Sequence, residues 1–150
     1  MNEQIKELAG VMVAAILAVD GLAHLYWATG NIWPASNPRS LIQAVLNKDN
    51  PRLLRPTILV PLACLLLGGA LTVLARVHRL GIIGQLIPAP LLQLGILAVA
   101  AGLLLRALAG MGWASGRLPV KSRSFYWLNL LIYTPACLLC FVAAVTAALS

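Results

Sequence analysis

Four stretches of this 150-residue chain are apolar over about 20 residues or more, at about 8–28, 56–75, 85–109 and 125–149. That is the length that crosses a hydrocarbon core of roughly 30 Å. Inside lipid, every backbone polar group must find its partner within the protein, so each stretch is expected to be a helix. Only 10% of residues are charged, against about 25% in a soluble domain. So few charges cannot cover a water-facing surface. The expected fold is an all-α membrane protein, a single four-transmembrane-helix bundle formed by residues 1–150.

The first run holds Asp20 and follows a start that carries Glu3 and Glu7 against Lys6. It is too long for the apolar core of a secretory signal and lacks the positive flank, so it is read as a retained span. Pro56 is well placed as a first-turn proline for the second span. Pro88 and Pro90 should kink the third or delay its start.

Four crossings put both termini on one side, here side A, together with the loop that holds Arg76, His78 and Arg79. Side B receives loop one, about 29–55, and loop three, about 110–124. Side A carries Lys6, Arg76 and Arg79. Side B carries Arg39, Lys48, Arg52, Arg55, Arg117, Lys121 and Arg123. The positive-inside rule therefore expects loops one and three in the cytoplasm and both termini outside. The net charge of +7 is juxtamembrane charge that meets anionic headgroups. No nucleic-acid motif accompanies it, and no nucleic-acid partner is expected.

Loop one contains its own element. Asn37 and Pro38 form an N-cap followed by a first-turn proline. Leu41, Ile42, Val45 and Leu46 then recur at helical spacing, and 47–50 with Pro51 ends the segment. This reads as a short amphipathic interfacial helix, either a connector or a lid over a site. Within the spans, Gly10/Ala14/Ala18 and Ala98/Gly102 repeat every four residues, a pattern that lets helices approach closely in lipid.

The polar inventory is lopsided. Trp27, Trp33, Trp113, Trp127, Tyr26, Tyr126 and Tyr133 all fall in the side-B half, as do Asp20, His24, Arg106 and Asn129. An aromatic belt ordinarily marks both interfaces. Asp20 is expected on the order of 15 Å below the side-B end of its span, and Arg106 about one turn inside the end of span three. Buried charge is costly in a bilayer, so such groups face the bundle and find partners. Asp20 and His24, four residues apart, share a helix face. They read either as a carboxylate–imidazole pair that handles protons or as structural polar contacts, for instance Asp20 with Arg106. Arg106 either neutralises Asp20, reaches out to headgroups or, as a third option, meets an anionic ligand head.

A lone histidine without neighbouring ligands gives no metal site. Cys137 and Cys140 have C-x-x-C spacing, but mid-span rather than at a helix N-terminus, which reads as core cysteine rather than redox chemistry. No phosphate loop, nucleophile elbow or metalloprotease motif occurs, and no cofactor is expected.

Three stretches carry a family resemblance: His24-Leu25-Tyr26-Trp27-Ala28-Thr29-Gly30 with Trp33-Pro34 after it, residues 105–110 around Arg106, and residues 125–138 with Asn129 and Tyr133-Thr134-Pro135-Ala136-Cys137-Leu138. Together they resemble a family of small four-span bacterial membrane proteins catalogued as a domain of unknown function. Its members often carry Asp at the position of Asn129, and Ser-Pro-Leu in place of 134–136. The resemblance implies a bacterial cytoplasmic membrane and no particular activity.

The leading functional expectation is a pocket between spans one, three and four, open to side B, that binds or transports a small amphipathic or lipid-like molecule. Asp20, His24, Arg106, Asn129 and Tyr133 would supply polar contacts, and Tyr26, Trp27 and Trp127 the walls. The alternatives are a membrane-embedded enzyme on a lipid or isoprenoid, with Asp20 and His24 as acid–base pair, and a non-catalytic partner subunit or assembly factor. Expected partners are membrane lipids, the amphipathic ligand and, because four spans enclose little space, a second copy in a homodimer.

Overall fold

The computed structural model describes residues 2–149; Met1 and Ser150, the ends of the expected 1–150 domain, lie outside them. The described residues form helices without strands: α1 Glu3–Ala28, α2 Pro38–Leu46, α3 Pro56–Arg76, α4 Ile82–Gln85, α5 Ala89–Ala114, α6 Arg123–Leu128 and α7 Thr134–Ala148. A π-helical turn, Asn129–Tyr133, joins α6 to α7 into one crossing. Four helices are long and apolar enough to span a membrane: α1, α3, α5 and the continuous Arg123–Ala148 segment. The chain is thus a four-span membrane protein.

The helix ends correct the sequence boundaries. α1 starts at Glu3, ahead of its apolar run, because the Asn2 side chain accepts from the Gln4 N–H as a cap. The third span starts late, at Ala89. Pro88 supplies the N-cap backbone, Pro90 sits in the first turn, and Ile82–Gln85 breaks off as the separate helix α4. The third span also ends late, at Ala114, so Gly110 and Trp113 are helical rather than loop residues.

α2 forms with Pro38 in its first turn and a capping box between Asn37 and Ser40. Asn47 ends it in the left-handed region at φ 55°. Its apolar face, Leu41 and Ile42, is buried against the side-B end of the bundle.

The spans sit in a square, α1–α3–α5–α7 in order around it. α1 packs closely on α3 and α5 on α7, while of the neighbours around the square α3 and α5 meet least. Small residues explain the α1–α3 contact. Gly10 lies under Val77, and Gly21 lies under Leu67 and the Ala63 carbonyl. A Cβ on Gly10 would come within 2.5 Å of Val77 Cγ1. Ala14, in the same row, is 2% exposed.

The apolar core lies in the side-A half: Val13, Val73, Val77, Ile96 and the alanine-rich face of α7. There Lys6 Nζ reaches the Leu149 carbonyl at 3.0 Å, Glu7 pairs with Arg79, and Arg76 bonds Gln93 at 3.1 Å. Side A is closed by packing and ion pairs. Side B is where the polar side chains enter the bundle.

Candidate functional site

The small-residue row on α5 does not draw helices together along its whole length. Near side A, Gly95 abuts Thr72, and a Cβ on Gly69 would lie 3.2 Å from Val99 Cγ2, so α3 and α5 touch there. Toward side B, Gly102 faces open space, as does Gly68 on the exposed face of α3 beside Gly69. The two helices diverge and leave a cavity of about 650 Å³ in the membrane-spanning region.

All four spans line it. α1 contributes Ile16, Leu17 and Asp20. α3 contributes residues from Cys64 to Thr72, and α5 residues from Gly95 to Arg106. α7 contributes Ala136, Cys137 and Cys140. The gap reaches the outer surface between α3 and α5, where Leu65, Gly68, Ala98 and Gly102 are exposed.

The polar end of this cavity is formed by Asp20 and Arg106. Each lies eight residues from the side-B end of its helix, a depth of about 12 Å at 1.5 Å per residue. Arg106 is thus deeper than one turn, because α5 continues past it. The two are not an ion pair among the described residues. Asp20 turns to His24, whose Nδ1 lies 3.4 Å from Oδ1 and 2.8 Å from the Asp20 carbonyl. The carbonyl contact makes Nδ1–H the donor.

Arg106 turns to the π-helical turn instead. Its Nη1 donates to Asn129 Oδ1 at 3.2 Å, and its guanidinium lies over the Trp113 and Tyr133 rings at 5.4 and 5.6 Å. Asn129 is fully buried. Its amide donates to the Gly110 carbonyl at 2.9 Å, and Thr134 Oγ1 donates to its Oδ1 at 3.3 Å. The π turn follows from Pro135. Proline has no N–H to continue the regular ladder, and the Thr134 N–H reaches back to the Asn129 carbonyl five residues away. The extra residue places Asn129, Tyr133 and Thr134 together against α5.

The expected site residues therefore divide. Asp20 and Arg106 line the cavity. Asn129 and Tyr133 hold Arg106 from behind. His24 and Trp27 belong elsewhere: their rings meet edge-on at 5.3 Å and face a small space of about 60 Å³ under α2. Tyr26 and Trp127 are exposed on the outside, at 42% and 48%, and are not cavity walls. Among the described residues no three metal-ligating side chains cluster.

The sequence pattern places Gly110 and Trp113 in a loop and so outside the site, whereas both are helical and meet Asn129 and Arg106 respectively. The pattern does not mark Cys64 either, which stands at the depth of Asp20 and Arg106, eight residues into α3.

No curated protein and no solved structure matches the chain. The model of one family, described as a protein of unknown function (DUF3995), matches residues 17–144 and so takes in Asp20, Arg106, Asn129 and the cavity-lining parts of α3 and α5; the chain belongs to that family.

Proposed function

We propose that this protein binds a small amphipathic or lipid-like molecule in the cavity between its four spans, to carry it or to present it within the membrane. The observation that supports this reading is the cavity itself. Its volume of about 650 Å³ falls in the range of roughly 300–1,000 Å³ typical of ligand sites. Its walls are mainly apolar, and its two charged side chains, Asp20 and Arg106, stand at one end, as suits such sites. The His24 pocket of about 60 Å³ is too small for an organic substrate, so an acid–base role for Asp20 and His24 draws no support from it.

The setting proposed is the bacterial cytoplasmic membrane, with loops one and three in the cytoplasm, as the bias of Lys and Arg toward side B favours. Membrane lipids then surround the bundle, and a homodimer would enlarge the enclosed space.

Native mass spectrometry of the protein released from mild detergent tests the reading, with Gly68→Leu and Gly102→Leu as cavity-filling variants. A Cβ at either position meets nothing within 4 Å, so both variants should fold. A discrete small-molecule adduct on the wild type, lost in both variants, is expected. An empty wild type, or an adduct that both variants retain, overturns it.

A further inference from the structure

We infer that the occupant of this cavity is an anionic single-chain amphiphile, its carboxylate or phosphate head at Arg106 and its chain running toward side A between α3 and α5. The inference rests on the binding function proposed above and names the ligand class.

Arg106 carries an unmatched charge. A guanidinium keeps its proton inside a protein and carries five N–H donors. Arg106 spends one of them on Asn129 Oδ1, at 3.2 Å. Its other neighbours are the faces of Trp113 and Tyr133, which hold a cation without neutralising it. The one carboxylate on the cavity wall, Asp20, is engaged with His24. About 12 Å inside the helix end, Arg106 thus faces the cavity with donors to spare and, among the described residues, no ion-pair partner, since Asp20 at the same end turns to His24. Charges in that setting are expensive unless paired, and a planar fork of donors suits a carboxylate or phosphate.

The cavity has the shape of a chain-binding trough. From Arg106 the lining runs along α5 through Gly102, Ala98 and Gly95, about 16 Å at 1.5 Å per residue. The facing wall of α3 is Leu65, Gly68, Gly69 and Thr72. The result is a long trough floored by small residues, closed at side A where Gly95 meets Thr72. Its side gap between α3 and α5 opens toward the region where lipid chains lie. A single chain can slide in there without its head leaving the membrane.

The test uses the full chain in nanodiscs of a zwitterionic phospholipid. Dodecyl phosphate, dodecanoate, dodecanol, dodecyltrimethylammonium and inorganic phosphate are titrated separately, and bound ligand is counted by native mass spectrometry. Dodecyl phosphate and dodecanoate should bind at least about tenfold more tightly than dodecanol, the scale of one charge-assisted hydrogen bond. Arg106→Gln should erase that difference and leave the weak dodecanol binding in place, and Arg106→Lys should restore part of it. Gly102→Leu should remove all chain binding.

If dodecanol or the trimethylammonium compound binds as well as the anions, and Gly102→Leu still abolishes it, the anionic assignment fails while the binding function survives. If inorganic phosphate alone matches dodecyl phosphate, the site takes a free anion and the amphiphile assignment fails. If no chain compound binds the wild type, both readings fail.

Discussion

Arg106 and Asn129 reach each other across two spans, Nη1 to Oδ1 at 3.2 Å, about 12 Å inside the side-B end of α5. Asn129 has no exposed surface and also donates to the Gly110 carbonyl at 2.9 Å. One side chain thus takes one guanidinium donor and serves a backbone acceptor at once. Asn129→Leu removes both partners and should cost about 2–3 kcal/mol, the scale of leaving buried polar groups unpaired. Asn129→Asp gives Arg106 an anion but turns an acceptor toward the Gly110 carbonyl, so it should destabilise less than Leu. It should also weaken the preference for anionic ligands by neutralising Arg106 from behind. Thermal unfolding in detergent ranks the two variants. Equal destabilisation would show that the charge pairing contributes little.

Two glycines on α5, eight residues apart, should answer alanine in opposite ways. A Cβ on Gly110 would collide with Thr134 Oγ1 and stand 3.2 Å from Asn129 Oδ1. Gly110→Ala must therefore push apart α5 and the π turn, and a loss of about 1–3 kcal/mol is expected from overpacking. Gly102 faces open space, and Gly102→Ala should be neutral or gain up to about 1 kcal/mol from helix propensity. Unfolding midpoints for the pair check this. A Gly110→Ala variant as stable as wild type would mean that the α5–π turn contact has slack.

The sequence made the spans legible because hydrocarbon permits little else. Runs of about 20 apolar residues leave one structure available to the backbone. Asn37, Pro38 and Asn47 likewise marked α2 through local capping chemistry that needs no tertiary context. The site was harder. Asp20 and His24 are one turn apart, and spacing placed them on one face. That extra turn suffices to carry His24 up beneath α2 while Asp20 stays on the cavity wall. Ala98 and Gly102 looked like a close-packing row, but a missing side chain makes a contact or a hole according to how the opposite helix leans. Near side A α3 leans in, and near Gly102 it leans away. Gly110 marks the start of a loop by sequence, although membrane helices accept glycine more readily than soluble ones do. Its role depends on a π turn some twenty positions later in the chain.

Asn47 ties the two side-B loops together. Its Nδ2 donates to the Pro119 carbonyl at 2.9 Å, and its Oδ1 accepts from the Lys121 N–H at 2.7 Å. It does this from φ 55°, a backbone region that Asn and Gly tolerate and alanine does not. Asn47→Gly keeps the turn and loses the ties, and should cost about 1–2 kcal/mol. Asn47→Ala loses both and should cost more. Hydrogen exchange of α2 should rise in the same order. If Gly and wild type exchange alike, the ties to loop three do not hold α2 down.

Asp49, beside that junction, sets its pH dependence. The Gln43 amide donates to Oδ1 at 2.8 Å, and Lys121 Nζ lies 3.5 Å from Oδ2. The hydrogen bond from Gln43 first, and the charges of Lys121 and Arg39 after it, hold the carboxyl below its ordinary value of 3.8. A folded-state value lowered in this way stabilises the junction above the unfolded-state value. That contribution fades as pH falls through the folded-state value and is gone below it. Because Asp49 is exposed, solvent screens the effect and it should be small. Hydrogen exchange of α2 should therefore be flat from neutral pH down to about 4, after correction for intrinsic rates, and should accelerate only below that. Asp49→Asn keeps an acceptor for Gln43 but carries no charge, so its exchange should show no such acid-side rise. A rise of the same size in the variant would assign the pH response to a group other than Asp49.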